Sequence, residues 1–338
     1  MTTRNLARWV IGIVLLAALV LTFDATGISA RLGDANLALV VFGVVGLSSL
    51  HLLGAATWRT LARRLVGLRL DWWPTVRLYY AAQAVGGFTP ANLGSDAYRV
   101  VAVRGSGEGV RTAVLPIVVQ RATSYLAVSL VGAAALIIAA RPTDLALGVT
   151  IGAVVFAGIA LSVASLVSVG LGRLRPVRDR LLGPGPPGRR RLAGAVSIGL
   201  ALGVVFHAVG VGLTFLVVLS VDPGAASLAA LAAVAVARAS LLIPLTPSGL
   251  GVQEAALALL FVGIGLPAES AIAASLLARL SLVLTAALGA LALMVPAGRI
   301  AADGTHPPAD SVRVVPAAQS GPRDAQPNRR SAGGEPIG

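Results

Sequence analysis

Apolar runs long enough to cross a membrane recur along most of this chain. A helix needs about 20 residues to span the roughly 30 Å hydrocarbon core of a bilayer. Clean runs of this kind occur at residues 6–23, 35–56, 112–139, 145–170, 192–220 and 268–296. Hydrophobic residues make up 56% of the 338 residues and charged residues only 12%, which is about half the charged share usual in soluble domains. The sequence therefore predicts an all-α polytopic membrane protein with about six full transmembrane helices.

The arginines between the apolar runs indicate how the chain is oriented. Residues 57–77 hold five arginines and one aspartate, and residues 171–191 hold seven arginines and one aspartate. Cytoplasmic loops of membrane proteins carry such an excess, so both segments are predicted to be cytoplasmic. The loops without this excess, 24–34, 141–144 and the one at Asp222, are predicted to face outside. Because membrane orientation accounts for the net charge of +13, no nucleic-acid partner is expected.

Two further apolar regions, residues 78–95 and 225–265, contain prolines and glycines and do not read as simple spans. The loop assignments agree if the first region enters and leaves from the cytoplasmic side and the second dips in from outside. Both regions are then broken re-entrant segments, and both termini are cytoplasmic. In the alternative, both regions cross fully, which gives about eight crossings and places the weakly basic loop 96–111 outside.

The two interrupted regions share a sequence pattern. Residues 89–97 read TPANLGSDA and residues 246–255 read TPSGLGVQEA. Three spans separate the copies, and an odd number of spans inverts the second one. The pattern predicts an inverted repeat within a membrane domain 1–296, with halves of about 1–140 and 141–296, as in many transporters. Residues 297–338 are polar and rich in proline, and are predicted to be a disordered cytoplasmic tail.

A break in a membrane helix creates a polar site inside an apolar solvent. The N-terminus of the second half-helix exposes N–H groups and a positive dipole end, which can hold an anion. In the second break, Gly249 and Gly251 would let the backbone approach a headgroup closely. Ser248 is predicted to cap a helix that begins at Leu250, and Ser95 to cap the matching helix in the first half.

Three arginines and two acids accompany these breaks. An arginine at the membrane centre costs roughly 2.5 to 3.5 kcal/mol, so it is expected to pair with an acid or to bind substrate. Glu254 is the expected partner of Arg238 or Arg279, and Asp96 is the expected partner of Arg121. The sequence leaves open whether these groups bind substrate or only form ion pairs. The predicted substrate-binding residues are Ser248, Gly249, Gly251, Glu254, Arg238, Arg279, Arg121 and Asp96.

The sequence lacks the usual signs of an enzyme. It contains no cysteine, which excludes thiol catalysis and thiolate metal sites. A histidine cluster and the lysine of a phosphate-binding loop are also absent. We therefore predict no catalytic residue, no metal site and no cofactor.

Three stretches carry a resemblance to a known family. They are NLGSDAYRVVAVR at 92–104, IPLTPSGLGVQEAAL at 243–257 and AIAASLLARLSLVLTAALGAL at 271–291. They resemble the membrane region of lysylphosphatidylglycerol synthases and the related flippase-like proteins, over about residues 5–296. The resemblance implies a domain that translocates lipids or handles lipid-linked sugars. The synthases carry a large aminoacyltransferase domain after this region, whereas only residues 297–338 follow it here, so lipid aminoacylation is not expected.

The leading hypothesis is a lipid flippase-like transporter of the cytoplasmic (inner) cell membrane. It would move a phospholipid or a polyprenyl-phosphate-linked sugar between leaflets, with that headgroup as its binding partner. The alternative is an integral-membrane accessory protein that organises a lipid-synthesis or glycosyltransferase partner without transporting anything. A third hypothesis, a membrane-embedded transferase, has few candidate catalytic residues. The sequence leaves a homo-oligomer open.

Overall fold

Nine α-helices, and no strand, occur among the residues that the computed structural model describes. These residues are 24–87, 89, 92–139, 189–239, 246 and 249–294, with single helical positions between 10 and 22. The helices are α1 (Ala25–Gly33), α2 (Leu37–Val66), α3 (Trp72–Gly86), α4 (Leu93–Gly105), α5 (Val110–Ala139), α6 (Arg189–Val221), α7 (Leu228–Ala239), α8 (Val252–Gly263) and α9 (Ala268–Met294). The predicted all-α class is confirmed for this part of the chain.

Four of the described helices, α2, α5, α6 and α9, are long and apolar enough to cross a membrane. They correspond to the predicted spans at 35–56, 112–139, 192–220 and 268–296. The predicted span 145–170 lies outside the described residues, as does 6–23 apart from its single helical positions. The observed helices make the chain a polytopic membrane protein.

Helix α2 continues beyond its predicted end. Its N-terminus is capped by the side chain of Asn36, which accepts a hydrogen bond from the backbone N–H of Leu39 at 3.2 Å. It ends at Gly67, whose φ of 74° lies in the left-handed region that favours glycine. Arg63 and Arg64 occupy its last turn, where cations interact favourably with the helix dipole. The loop predicted at 57–77 is therefore mostly helical, and only residues 67–71 are not.

Each interrupted apolar region forms two short helices with a break between them. The first region contains α3 and α4, and the second contains α7 and α8. At 1.5 Å per residue, α3 is about 22 Å long and α7 about 18 Å, so neither alone spans a hydrocarbon core of roughly 30 Å. The loop predicted at 96–111 is also mostly helical, because α4 extends to Gly105.

The long helices α2 and α6 pack against each other near the middle of the fold. A Cβ atom on Gly46 of α2 would lie 2.7 Å from Cδ2 of Leu213, so this glycine permits the close approach. Helix α3 packs on α9, and helix α7 packs on α5. The first helix of each broken region therefore lies against the long helix that follows the other break.

Two of the buried apolar clusters each surround one of the broken regions. One cluster lies around Trp58 and Tyr79, in α2 and α3. A larger cluster lies around Val217, Phe261 and Ile272, in α6, α8 and α9. Each cluster supports one broken region, and all of these residues belong to the unit Met1–Asp303.

Candidate functional site

The first break is held by Asp96, in the first turn of α4. Its Oδ1 accepts a hydrogen bond of 2.5 Å from Nη2 of Arg99, and its Oδ2 forms an ion pair with Nε of Arg121 on α5. The expected pair between Asp96 and Arg121 is present. One carboxylate is thus shared by two guanidinium groups.

Arg121 also ties α5 to the backbone of the break. Its Nη2 donates to the carbonyl oxygen of Asn92 at 3.1 Å, and its Nη1 donates to the hydroxyl of Tyr125 at 2.8 Å. Asn92 has a φ of 57°, a conformation that asparagine tolerates better than most residues. Its side chain donates to Oε1 of Gln83 on α3 at 2.7 Å. The break is therefore closed from both sides by polar contacts.

Arg99 is a site residue that the sequence did not indicate, because it was assigned to a loop. The structure places it in α4, only 4% exposed. Its Nη1 donates to Oε1 of Gln120 at 2.9 Å, and its guanidinium carbon lies 5.3 Å and 5.2 Å from the ring centroids of Trp58 and Tyr79. The spacing of three residues from Asp96 is the signal that could have identified it, because such pairs face each other on a helix.

The second break is held by Glu254, which is fully buried in the first turn of α8. Its Oε1 forms an ion pair with Nε of Arg279 on α9, and its Oε2 accepts from Nη2 of the same arginine at 2.9 Å. Oε2 also accepts from the backbone N–H of Gly251 at 2.8 Å. Arg279 donates in turn to the carbonyl oxygen of Gly249 at 3.0 Å. Of the two expected partners of Glu254, Arg279 is the one that pairs with it.

Gly249 and Gly251 both occupy backbone conformations that favour glycine. Their φ angles are 68° and 78°, a range that most other residues rarely adopt. Gly251 is the N-cap of α8, so the predicted cap at Ser248 and the predicted helix start at Leu250 are wrong. The reason is that the Glu254 side chain binds the Gly251 N–H from inside the first turn, as in a capping box. Ser248 itself lies outside the described residues.

Ser95 does not cap the matching helix in the first half. It lies inside α4, and its Oγ has no hydrogen-bond partner among the residues that the structure describes. Oγ1 of Thr89 takes this role, because it accepts from the backbone N–H of Gly94 at 2.7 Å. The predicted cap at Ser95 is therefore wrong.

Arg238 lies apart from both acid–arginine pairs. It is on α7, and its Nη1 donates to Oγ1 of Thr214 on α6 at 3.0 Å. Within the described part of the chain it pairs with no carboxylate, so the alternative of an Arg238–Glu254 pair is wrong. The structure thus brings Asp96 together with Arg121 at the first break. At the second break it brings together Glu254, Arg279, Gly249 and Gly251. Arg238 belongs to neither group.

The observed helices, together with the acid–arginine pairs at the two breaks, define a polytopic α-helical membrane protein with charged groups inside its apolar segments. Residues 6–289 match the family described as the lysylphosphatidylglycerol synthase TM region. The chain belongs to this family, and the resemblance noted in its sequence is confirmed. No curated protein matches the chain.

Proposed function

We propose that this protein is a lipid flippase-like transporter of the cytoplasmic (inner) cell membrane. It moves a phospholipid or a polyprenyl-phosphate-linked sugar between leaflets, and its broken helices form the path of the headgroup. One observation carries the proposal: each break is braced by an acid and an arginine that lie 25 residues apart, Asp96 with Arg121 and Glu254 with Arg279. Family membership supports a role that involves membrane lipids.

The helix contacts support an inverted repeat. Helix α3 packs on α9 in the same way that α7 packs on α5, and α2 and α6 form a central pair. Each arginine also binds the backbone of its own break, at Asn92 or Gly249. A transporter built from two such halves can alternate its opening between the two sides of the membrane around a fixed site.

The exposure of the paired groups suits contact with a headgroup. The Glu254 side chain is 1% exposed and that of Arg279 is 16% exposed. In the first break the corresponding values are 16% for Asp96 and 25% for Arg121. In each pair the arginine is the more accessible partner, so a negatively charged headgroup can approach it while the acid keeps it in place. Charged groups inside membrane segments are typical of such pathways.

The proposed topology is the one that the charges of the loops favour. Both broken regions are re-entrant, and both termini and the segments 57–77 and 171–191 are cytoplasmic. The chain contains no cysteine, so single cysteines can be introduced and labelled from either side. We expect a cysteine at Gly105 to be labelled from the cytoplasmic side. Labelling of that position from outside only would contradict the re-entrant assignment.

Lipid movement in reconstituted vesicles tests the function. The full chain is inserted into vesicles that contain a fluorescent phospholipid, and a membrane-impermeant quencher reports which leaflet holds the label. We expect the protein to transfer label between leaflets faster than protein-free vesicles do. A folded protein that moves neither phospholipids nor lipid-linked sugars would favour the accessory role. Formation of a new lipid product would favour a transferase, which the proposal excludes.

A further inference from the structure

Arg238 differs from the other two arginines that the sequence placed in the apolar site. Arg121 and Arg279 each bind a carboxylate. The hydrogen bond that Arg238 makes is to the hydroxyl of Thr214, and its buried Nε has no hydrogen-bond partner in the described structure. A cation inside a membrane segment is expected to pair with an acid or to bind a ligand. Arg238 has no such acid among the described residues.

Two histidines lie on the helices beside Arg238. His207 precedes Gly210 and Thr214 at the spacing of one helix face on α6. His51 follows Leu50 on α2, and Leu50 lies near the point where Gly210 contacts the guanidinium group. Nε2 of His207 is 2.9 Å from Oγ of Ser124, whereas Nδ1 of each histidine is buried without a partner in the described residues. Several polar atoms around the cation therefore lack a partner.

Gly210 lets the guanidinium group of Arg238 lie against the backbone of α6. A Cβ atom at this position would lie 2.7 Å from Nη2 of Arg238 and 3.4 Å from Cδ1 of Leu50. A larger side chain would therefore displace the guanidinium group. The cation and the end of the Leu50 side chain therefore both lie close to Gly210.

Leu50 also lines an apolar groove. It lies between α2 and α6, has a volume of about 490 Å³, and is lined by Leu50, Leu53, Val209 and Leu213 among others. A second groove shares Gly46 with it and follows α2 toward Leu37. From Leu50 to Leu37 the two grooves follow α2 for roughly 20 Å at 1.5 Å per residue, which is enough for an acyl chain in one leaflet, about half of a hydrocarbon core of roughly 30 Å. A cation beside an apolar groove of this length complements a lipid with a negative headgroup.

We infer that Arg238 binds the phosphodiester of an anionic membrane lipid whose acyl chain lies in the groove between α2 and α6. A guanidinium group forms strong charge-assisted hydrogen bonds to phosphate. The two imidazoles supply further donors to the same anion when they carry a proton on Nδ1. The inference rests on the proposed function for its lipid cargo, and it adds an arginine outside the two acid–arginine pairs that binds the negative headgroup.

The absence of an acid partner separates this site from the two braces. Replacing Arg279 strands the buried carboxylate of Glu254, whereas replacing Arg238 strands no charge. We therefore expect Arg238→Gln and Arg238→Met to fold, with a melting temperature in phosphatidylcholine at least equal to that of the wild type. Failure of both variants to fold would contradict the inference, because Arg238 would then hold the fold.

Binding is measured on the full chain in nanodiscs of phosphatidylcholine, with and without phosphatidylglycerol. We expect phosphatidylglycerol to raise the melting temperature of the wild type. Arg238→Gln should lose this shift and bind the anionic lipid about tenfold more weakly or worse, and Arg238→Lys should retain part of it. Arg104→Gln is the control, because it removes one positive charge from an exposed position in the last turn of α4, and it should respond as the wild type does.

The remaining arms identify the source of the anion and separate the two proposals. Inorganic phosphate in phosphatidylcholine nanodiscs should not reproduce the shift; if it does, the ligand is a free anion and the lipid assignment is wrong. An equal response of Arg238→Gln and wild type to phosphatidylglycerol would also overturn the inference. Binding does not require translocation. A protein that binds through Arg238 but moves no lipid would contradict the proposed function alone, and a protein that moves lipid without this binding would contradict the inference alone.

Discussion

The two broken regions contain the same charged groups in different arrangements. In each, an acid in the first turn after the break binds an arginine on the long helix that follows, and a further arginine on one of the two short helices lies inside the fold. In the first, Arg99 and Arg121 both bind Asp96. In the second, Glu254 binds Arg279, and Arg238 is held by Thr214 instead. The comparison shows that an arginine near a break is neutralised only when its position lets it reach the acid of that break.

The difference arises from where the second arginine lies. Arg99 follows Asp96 by three residues on the same helix, which brings the two side chains together. Arg238 is on the helix before the break and contacts α6. In the first half, Tyr79 of α3 packs against Gly54 of α2, as Arg238 of α7 packs against Gly210 of α6. The first half presents a phenol where the second presents a cation.

The largest expected effect comes from removing the acid of each brace. Glu254→Gln strands one guanidinium group and should lower the free energy of unfolding by about 3 to 5 kcal/mol. Asp96→Asn strands two groups and should lower it at least as much. Thermal unfolding in mild detergent measures both. Asp34→Asn changes an exposed carboxylate and serves as control, with an effect within about 0.5 kcal/mol. If Asp96→Asn is the milder variant, Arg99 does not depend on that carboxylate.

Much of this comparison could be predicted from sequence. Apolar length and the Thr-Pro and Leu-Gly pattern located both breaks, and the pairing of Asp96 with Arg121 follows from the cost of a lone charge in a membrane. Sequence distance could not decide which arginine pairs with Glu254. That choice depends on how α7 and α9 pack around the break, and this is set by contacts distant in the chain.

Two errors have a common cause. Arg99 and the arginines before Gly67 were assigned to loops because charge was taken as a sign of the membrane surface. In the structure an acid three residues away neutralises Arg99, and the dipole of α2 favours the arginines in its last turn.

The predicted start of α8 is wrong for a different reason, because Glu254 supplies the cap from within the helix. A pattern that considers only the residue before a helix does not reveal such a cap.

A smaller effect is expected at the left-handed positions of the breaks. Asn92 occupies such a position in the first break and Gly249 in the second. Gly249→Val should lower the free energy of unfolding by about 1 to 3 kcal/mol, because a β-branched residue is strained there. Gly249→Asn should be milder, since asparagine tolerates this conformation in the first break. Gly263→Val is a control in open space at the end of α8. Equal losses for Gly249→Val and Gly249→Asn would show that volume matters more than backbone conformation.

An effect no larger than this is expected at the two glycines that contact Tyr79 and Arg238. A Cβ atom on Gly54 would lie 2.7 Å from Cζ of Tyr79, and one on Gly210 would lie at the same distance from Nη2 of Arg238. A phenol ring is rigid, whereas the end of an arginine side chain can move. Gly54→Ala should therefore destabilise by about 1 to 3 kcal/mol and Gly210→Ala by less. Thermal unfolding of both variants measures this, and a larger loss for Gly210→Ala would mean that Arg238 is held rigidly.

The most direct test of the central claim is lipid movement by the variant Glu254→Gln/Arg279→Gln. Neither change strands a charge when both are made together, so the double variant should regain most of the thermal stability that Glu254→Gln loses. If the braced break forms the path of the headgroup, the stable double variant should still fail to move labelled phospholipid between the leaflets of reconstituted vesicles. Full lipid movement by a stable double variant would show that the pair only holds the fold, and would contradict the account.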